Sequence, residues 1–456
     1  MSTSPANSGP QVVIQSTSDE TITLKVNGEV RQIRNQLDEL KALLQEKNQQ
    51  NVQYADKIYN IGHIDQANFG FITGKKAFNE TLTKQLIEAL QTSSRPAQIF
   101  LERVATTPQW ETQVRISDKA KEIIAYSFAG VIGIQLSKLM AIGKEDFSET
   151  KQRKYIEKCL QIAKRSVDLI CFALISRMLD AKAETVSRLS SDLKMVLQKR
   201  FDEAFEPTLE EQFRLLNVLH AFFGDQANGL EAPMPELNSL GQALQQGSDL
   251  HLTFQNLQAL NGKLDKGQYD LLDCFEAETQ LAAFFKYFHF LANYRMASIK
   301  HIGYQHTRKE DPRYLIRYAA LGIDSKANID AEKINYSVDT VQTEAVLLYR
   351  GDNYRDNVNL FPFVVDYNAL SFEQGSKICF YRSQAIADGN LEYLFLEDNS
   401  ILSIEKKKDF PPPDADFNDL LISADNRKAL NLNSVVNQFR GARTYLLGGE
   451  LNFDDL

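Results

Sequence analysis

The feature that most constrains this chain is a change in the period of its apolar residues near position 325. Upstream they recur at three- and four-residue spacing for roughly two hundred residues, the pattern of helices that each bury one face. Downstream come short β-branched and aromatic runs separated by Gly, Asp and Asn, the pattern of strands and turns. A chain of 456 residues exceeds one ordinary core. The expectation is therefore an α+β multidomain protein, a mainly α-helical body followed by a C-terminal β-rich domain.

Residues 1–27 are polar and small, and imply disorder or a short strand; Ile22, Leu24 and Val26 alternate ahead of Asn27-Gly28, a hairpin signal. Val30, Ile33, Leu37, Leu40 and Leu44 form an a/d seam, which predicts a short coiled-coil helix over 28–50 and a protein partner or self-association through it. Residues 51–76 form a connector. A helical bundle is expected over 77–228, with Ser117 as an N-cap, Gly143 as a stop, and one face of Leu160, Ala163, Val167, Ile170, Leu174 and Met178. Two prolines and a glycine mark 228–237 as a linker. A second helical part spans 229–325, with a long helix over 267–303 whose acids lead and whose bases trail, as the helix dipole favours. Strands are expected at 345–349, 361–367, 377–381 and 391–396 within a β-rich domain of 326–404. Apolar residues at both parities there imply a sheet covered on both faces. A Pro-rich hinge, helix and acidic tail fill 405–456.

The net charge of −9 disfavours bulk affinity for nucleic acid, which needs a basic footprint. The four cysteines, Cys159, Cys171, Cys274 and Cys379, are widely spaced in apolar runs and imply reduced core thiols in a cytoplasmic protein. The uncharged run from Ile123 to Ser137 falls short of the roughly 20 residues of a bilayer span. It implies a buried helix; a membrane-acting effector through 123–142 is a minor alternative.

No complete catalytic signature is present. GFITGKKAF (70–78) has three residues between its glycines where a phosphate loop has four, and Lys76 where that loop has its hydroxyl. None of the six histidines has a zinc spacing, and His289 fits a satisfied core histidine. No cofactor and no metal are expected. Asp398, Glu405 and Lys407 follow the order of a metal-dependent nuclease, two carboxylates for Mg²⁺ and a lysine for the charged transition state. They give the enzyme alternative, against the simpler reading of a solvated strand end. The best binding candidate is the basic, Tyr-interleaved stretch of Lys286, Arg295, Lys300, Arg308, Lys309, Arg313 and Arg317, able to face an acidic partner or nucleic acid.

QYADKIYNIGHIDQANF (53–69) resembles the leader ahead of signalling modules in bacterial conflict proteins linked to STAND-type NTPases. NLFPFVVDYNAL with SKICFYRS and LEYLFLEDNS (359–400) resembles an α+β segment of similar proteins. The resemblance implies an accessory component of a defence or signalling assembly and carries no active-site residue. Together these signs point to a non-enzymatic adaptor or regulatory interaction protein.

Overall fold

The computed structural model describes residues 12–17, 21–26, 29–34, 78–107, 110, 113–144, 148–202, 204, 206–306, 308, 313–323, 332–337, 342–351, 356–385, 389–405 and 423–448. Strands β1 (Val12–Thr17), β2 (Thr21–Val26) and β3 (Glu29–Arg34) form an antiparallel meander. Val26 stands opposite Glu29, the register of a two-residue hairpin. This corrects the start of the expected coiled coil, because Val30 and Ile33 pair with Lys25 and Ile22 on β3. Two heptads carry too little stability of their own to override sheet pairing. Leu37, Leu40 and Leu44 lie outside the described residues, as do the Gly-rich loop up to Ala77 and the stretch 53–69.

The helices are α1 (Glu80–Ala89), α2 (Arg95–Val104), α3 (Val114–Ser127), α4 (Gly130–Ile142), α5 (Glu149–Leu179), α6 (Ala183–Ser187), α7 (Ser191–Asp202), α8 (Leu209–Gly224), α9 (Asp249–Asp265) and α10 (Leu271–Phe288). The sequence caps several of them. Thr208 and Glu211 form a capping box on α8, as Asp270 and Asp273 do on α10, and the Ser94 hydroxyl accepts from the Ala97 amide ahead of Pro96. Ser117 is no cap: it is buried inside α3, which follows Gln113. The 31-residue α5 is the central post, buried on nearly every side from Tyr155 to Met178 and packed on α4, α8, α9 and α10.

The apolar run around 123–137 is two helices. Phe128 is extended (φ −89°, ψ 159°), and the Gly130 amide donates to Leu321 O. A Cβ on Gly133 would stand 2.2 Å from Ala125 O, so the tight crossing of α3 and α4 requires glycine there. Among the described residues no helix is long and apolar enough to cross a membrane.

The expected helix over 267–303 ends early. After α10 comes a 3₁₀ turn (His289–Asn293), then a 12-residue strand, β4 (Tyr294–Gln305). Tyr294, Met296 and Ser298 face the body while Ala297 and Ile299 face away, and all five are buried. With both parities apolar, no alternation marks the strand.

The sheet continues with β5 (Arg313–Ala320), β6 (Glu332–Ser337), β7 (Val346–Arg350) and β8 (Asn357–Asn359), in the order β6-β5-β4-β7-β8. A second sheet, β12-β11-β10-β9, comprises β9 (Val364–Asp366), β10 (Ile378–Gln384), β11 (Leu391–Phe395) and β12 (Ile401–Ile404), all antiparallel. Burial at both parities of β9 to β11 agrees with a sheet covered on both faces. The short α11 (Tyr367–Leu370) follows β9, and α12 (Ala424–Leu447) closes the structure.

Helices and sheets share one apolar core from Phe78 to Leu446. Phe363 stacks on Phe172 at 5.4 Å and on Phe201 at 5.8 Å, and Phe439 of α12 meets Phe201 and Tyr381. Arg200 of α7 donates to the carbonyls of Tyr381 and Arg382, both at 3.0 Å. The expected boundary at 325 is therefore not an edge of the core. Nor is 228–237 a free linker: Met234 and Leu237 are buried, and Glu236 accepts from Asn293, Tyr294 and Arg350.

Candidate functional site

β4 pairs with β7 only over Tyr294–Ser298 but with β5 over Ala297–Gln305. Its distal half therefore runs past β7 as a hairpin with β5, which β6 flanks on its other side. A bulge between Ile299 and His301 resets the alternation, as a single extra residue in one strand must. Beyond it, Ile302 pairs with Ile316 and Tyr304 with Tyr314 on one face. His301 pairs with Arg317 on the other, and Gly303, without a side chain, faces Leu315 there. His301, Arg313 and Arg317 are exposed along this second face, with Arg313 and Arg317 roughly 13 Å apart along the strand. At the tip Tyr304 is 64% exposed, lies 5.7 Å from Tyr314, and stacks on the exposed His306 at 6.3 Å; Arg308 is exposed beside them. The result is a cationic strip on one face and an aromatic edge on the other.

Only part of the basic stretch belongs to this surface. Lys286 is exposed, but on the last turn of α10. Arg295 is a structural residue, its guanidinium donating to the carbonyls of Ser127, Ala292 and Tyr294 at 2.9–3.0 Å. Lys300 is likewise internal. The bulge turns it toward the second sheet, where it pairs with the fully buried Asp366 and donates to Gly375 O at 2.7 Å. Asp366 also accepts from the amides of Asn368 and Lys377, so this pair welds the two sheets. Lys309 lies outside the described residues. His301 joins the strip and His306 the aromatic edge, although the basic stretch was read through its lysines and arginines; the pairing of His301 with Arg317 depends on the bulge.

The nuclease set does not converge. Asp398 sits in the β11–β12 turn, where its carboxylate accepts from the amide and hydroxyl of Ser400, which holds its pKa down. Glu405 follows the last residue of β12, and Ile404 there pairs with Leu391 at the far end of the hairpin. The two carboxylates thus stand at opposite ends of a four-residue strand, while one Mg²⁺ needs them together. Lys407 lies outside the described residues.

Two internal clusters carry chemistry of a different kind. Ser93 Oγ is 3.0 Å from both His289 Nδ1 and His289 O. The hydroxyl donates to the carbonyl and accepts from the ring, so His289 is a satisfied histidine at the end of α10 and the hydroxyl is not poised as a nucleophile. Deeper in the core, the Tyr155 hydroxyl meets Glu278 Oε1 and Asn79 Oδ1, and the Asn79 amide donates to the same carboxyl at 2.8 Å. Burial pushes the Glu278 carboxyl up to about 7. Among the described residues no group of three or more His, Cys, Asp or Glu is placed to hold a metal ion.

No family model, no curated protein and no solved structure matches the chain.

Proposed function

We propose that this chain is a non-enzymatic adaptor or regulatory interaction protein of the cytoplasm, working in a bacterial defence or signalling assembly. It presents the distal β4–β5 hairpin to an acidic partner, and copies or partners associate through 28–50. The observation that carries the reading is the strip of His301, Arg313 and Arg317, continued at the tip by Arg308, on a hairpin that runs beyond β7 on one side and pairs with β6 on the other. In a chain of net charge −9 such a strip reverses the surrounding sign, which steers an acidic partner to one place and repels it elsewhere. Arginine forks bind carboxylates in pairs, and an exposed tyrosine adds apolar contact at little entropic cost.

The test is the anisotropy of a labelled polyglutamate peptide against wild type and a variant carrying Arg313→Glu and Arg317→Glu. Binding is expected at low salt, weakening by about tenfold or more in the variant, since rim charges act through long-range attraction. Equal affinity of the two proteins ends the proposal. Tighter capture of a single-stranded oligonucleotide than of the peptide moves it to nucleic acid. Light scattering on the full chain and on a deletion of 1–50 tests the association.

A further inference from the structure

The distal half of β4 carries an open backbone edge. On one side β5 covers it as far as Gln305, and β6 covers the far side of β5. On the other side the pairing with β7 ends where the Ile299 amide donates to Ala345 O at 2.9 Å. Glu344, at a left-handed φ of 58°, turns the chain off the sheet at that point. Asn359 Nδ2 of β8 then donates to Gln342 Oε1 at 2.9 Å, which ties the approach to β7 over to the β8 side, away from β4.

Antiparallel strands send the backbone groups of successive residues to alternate sides. The Leu321 amide donates to Met296 O, on the β5 side, and the Ile299 amide to Ala345 O, on the β7 side. Carried through the extra residue at Lys300, this alternation gives His301, Gly303 and Gln305 to β5 and turns the backbone of Ile302 and Tyr304 outward. Among the described residues no backbone group pairs with the N–H and C=O of those two. Exposed edges are commonly blunted by a bulge or an inward-pointing charge. Here both sit at the base, where Lys300 is fixed on Asp366 and Gly375 O. They hold the strand in shape and limit the open stretch to 301–305, about 17 Å.

The two faces of this edge differ in chemistry. One continues the small cluster of Ile299, Ile316, Ala345 and Leu347, on which Ile302 and Tyr314 pack half-buried, and ends at the exposed Tyr304. The other bears His301, Arg313 and Arg317. We propose that an extended segment alternating acidic and apolar residues adds to β4 as an antiparallel strand. Its backbone bonds to Ile302 and Tyr304, its apolar side chains lie beside those two, and its acids lie on the face of His301, Arg313 and Arg317. A strand added at an edge takes its affinity from main-chain bonds and its specificity from alternate side chains. The antiparallel direction continues that of every pair in this sheet. This mode of binding rests on the hairpin being the contact surface, and it specifies the form of the acidic partner.

The test is amide NMR with hydrogen exchange on the full-length protein, titrated with the end-capped peptide Glu-Val-Glu-Val-Glu and with the same peptide N-methylated at both valines. The valine amides are the ones that face β4 in this register, so methylation removes two donors and keeps every charge. In the free protein the Ile302 and Tyr304 amides are expected to exchange much faster than that of Gly303. The first peptide is expected to slow both by about tenfold or more at saturation, and to bind about tenfold more tightly than the methylated one, which lacks two main-chain bonds. Equal affinity of the two peptides, unprotected Ile302 and Tyr304 amides at saturation, no binding of either peptide, or amides already slow in the free protein overturns strand addition. Polyglutamate that still binds through Arg313 and Arg317 would then show that the hairpin reading survives and strand addition alone falls. Loss of polyglutamate binding as well ends both.

Discussion

Glu278 is a buried carboxyl group whose protonation bears on the stability of this fold. Its pKa rises from an ordinary 4.5 to about 7 because burial disfavours the charge by more than the hydrogen bonds from Tyr155 and the Asn79 amide favour it. A raised carboxyl means that the folded chain holds the proton more tightly than the unfolded one. Stability is then complete below about pH 4.5, falls as pH rises, and levels off above about pH 7, a loss of about 3 kcal/mol. Glu278→Gln, neutral throughout, is expected to flatten that slope in urea titrations run from pH 5 to 8; an unchanged slope would show that other groups set it. Lys300 and Asp366 pose the reverse case, a pair that is charged and dry. Asp366→Ala leaves an ammonium buried alone and is expected to cost about 3–5 kcal/mol, whereas replacing both by apolar residues of similar size is expected to cost far less. Thermal unfolding of the two variants distinguishes these outcomes. Such roles are invisible in a linear chain: Lys300 sits in the same basic run as Arg313 and Arg317, and only a one-residue bulge sends it inward while they remain outside.

Helices with one apolar stripe and strands bounded by turn residues are readable from sequence, and here α5, α8, β7 and β9 to β11 all lie where spacing puts them, whereas spacing does not predict the three-residue β8. The failures share a cause. The 29–34 stretch and the 294–305 stretch satisfy three- and four-residue spacing as well as they satisfy strand pairing, and partners distant in the chain decided between the two. The α3–α4 break is another tertiary decision, made where Gly130 bonds to Leu321 and Gly133 lets two backbones touch. Gly133→Ala is expected to destabilise the protein by about 1–3 kcal/mol, because the colliding atom is a backbone carbonyl that cannot swing aside. A denaturation midpoint equal to wild type would mean that the two helices have room to part. The candidate surface was half legible: the sign and the tyrosines were there to be seen, but the split of cations and aromatics onto opposite faces follows from strand register alone.

Among the described residues the helices and the second sheet share a main core that ignores the change of secondary structure along the chain, with a small satellite cluster of Ile299, Ile316, Ala345 and Leu347 under the sheet of β4 to β8. Phe172 and Phe201 from the helices, Phe363 from the approach to β9 and Phe439 from α12 form a single aromatic cluster. Calorimetry is accordingly expected to show one cooperative transition, and a fragment ending near 325 is expected not to fold, since it would leave Phe172 and Phe201 without their covering rings. Two separate transitions would restore the division into independent domains. The position of α12 also matters during synthesis. It packs over Phe201, Phe363 and Tyr381, yet its residues follow all of theirs in the chain. At roughly 5–20 residues per second the ribosome needs several seconds more after Tyr381 to deliver Phe439. Throughout that interval the nascent polypeptide carries an uncovered aromatic patch, an opening for chaperones and a window of vulnerability to sticking.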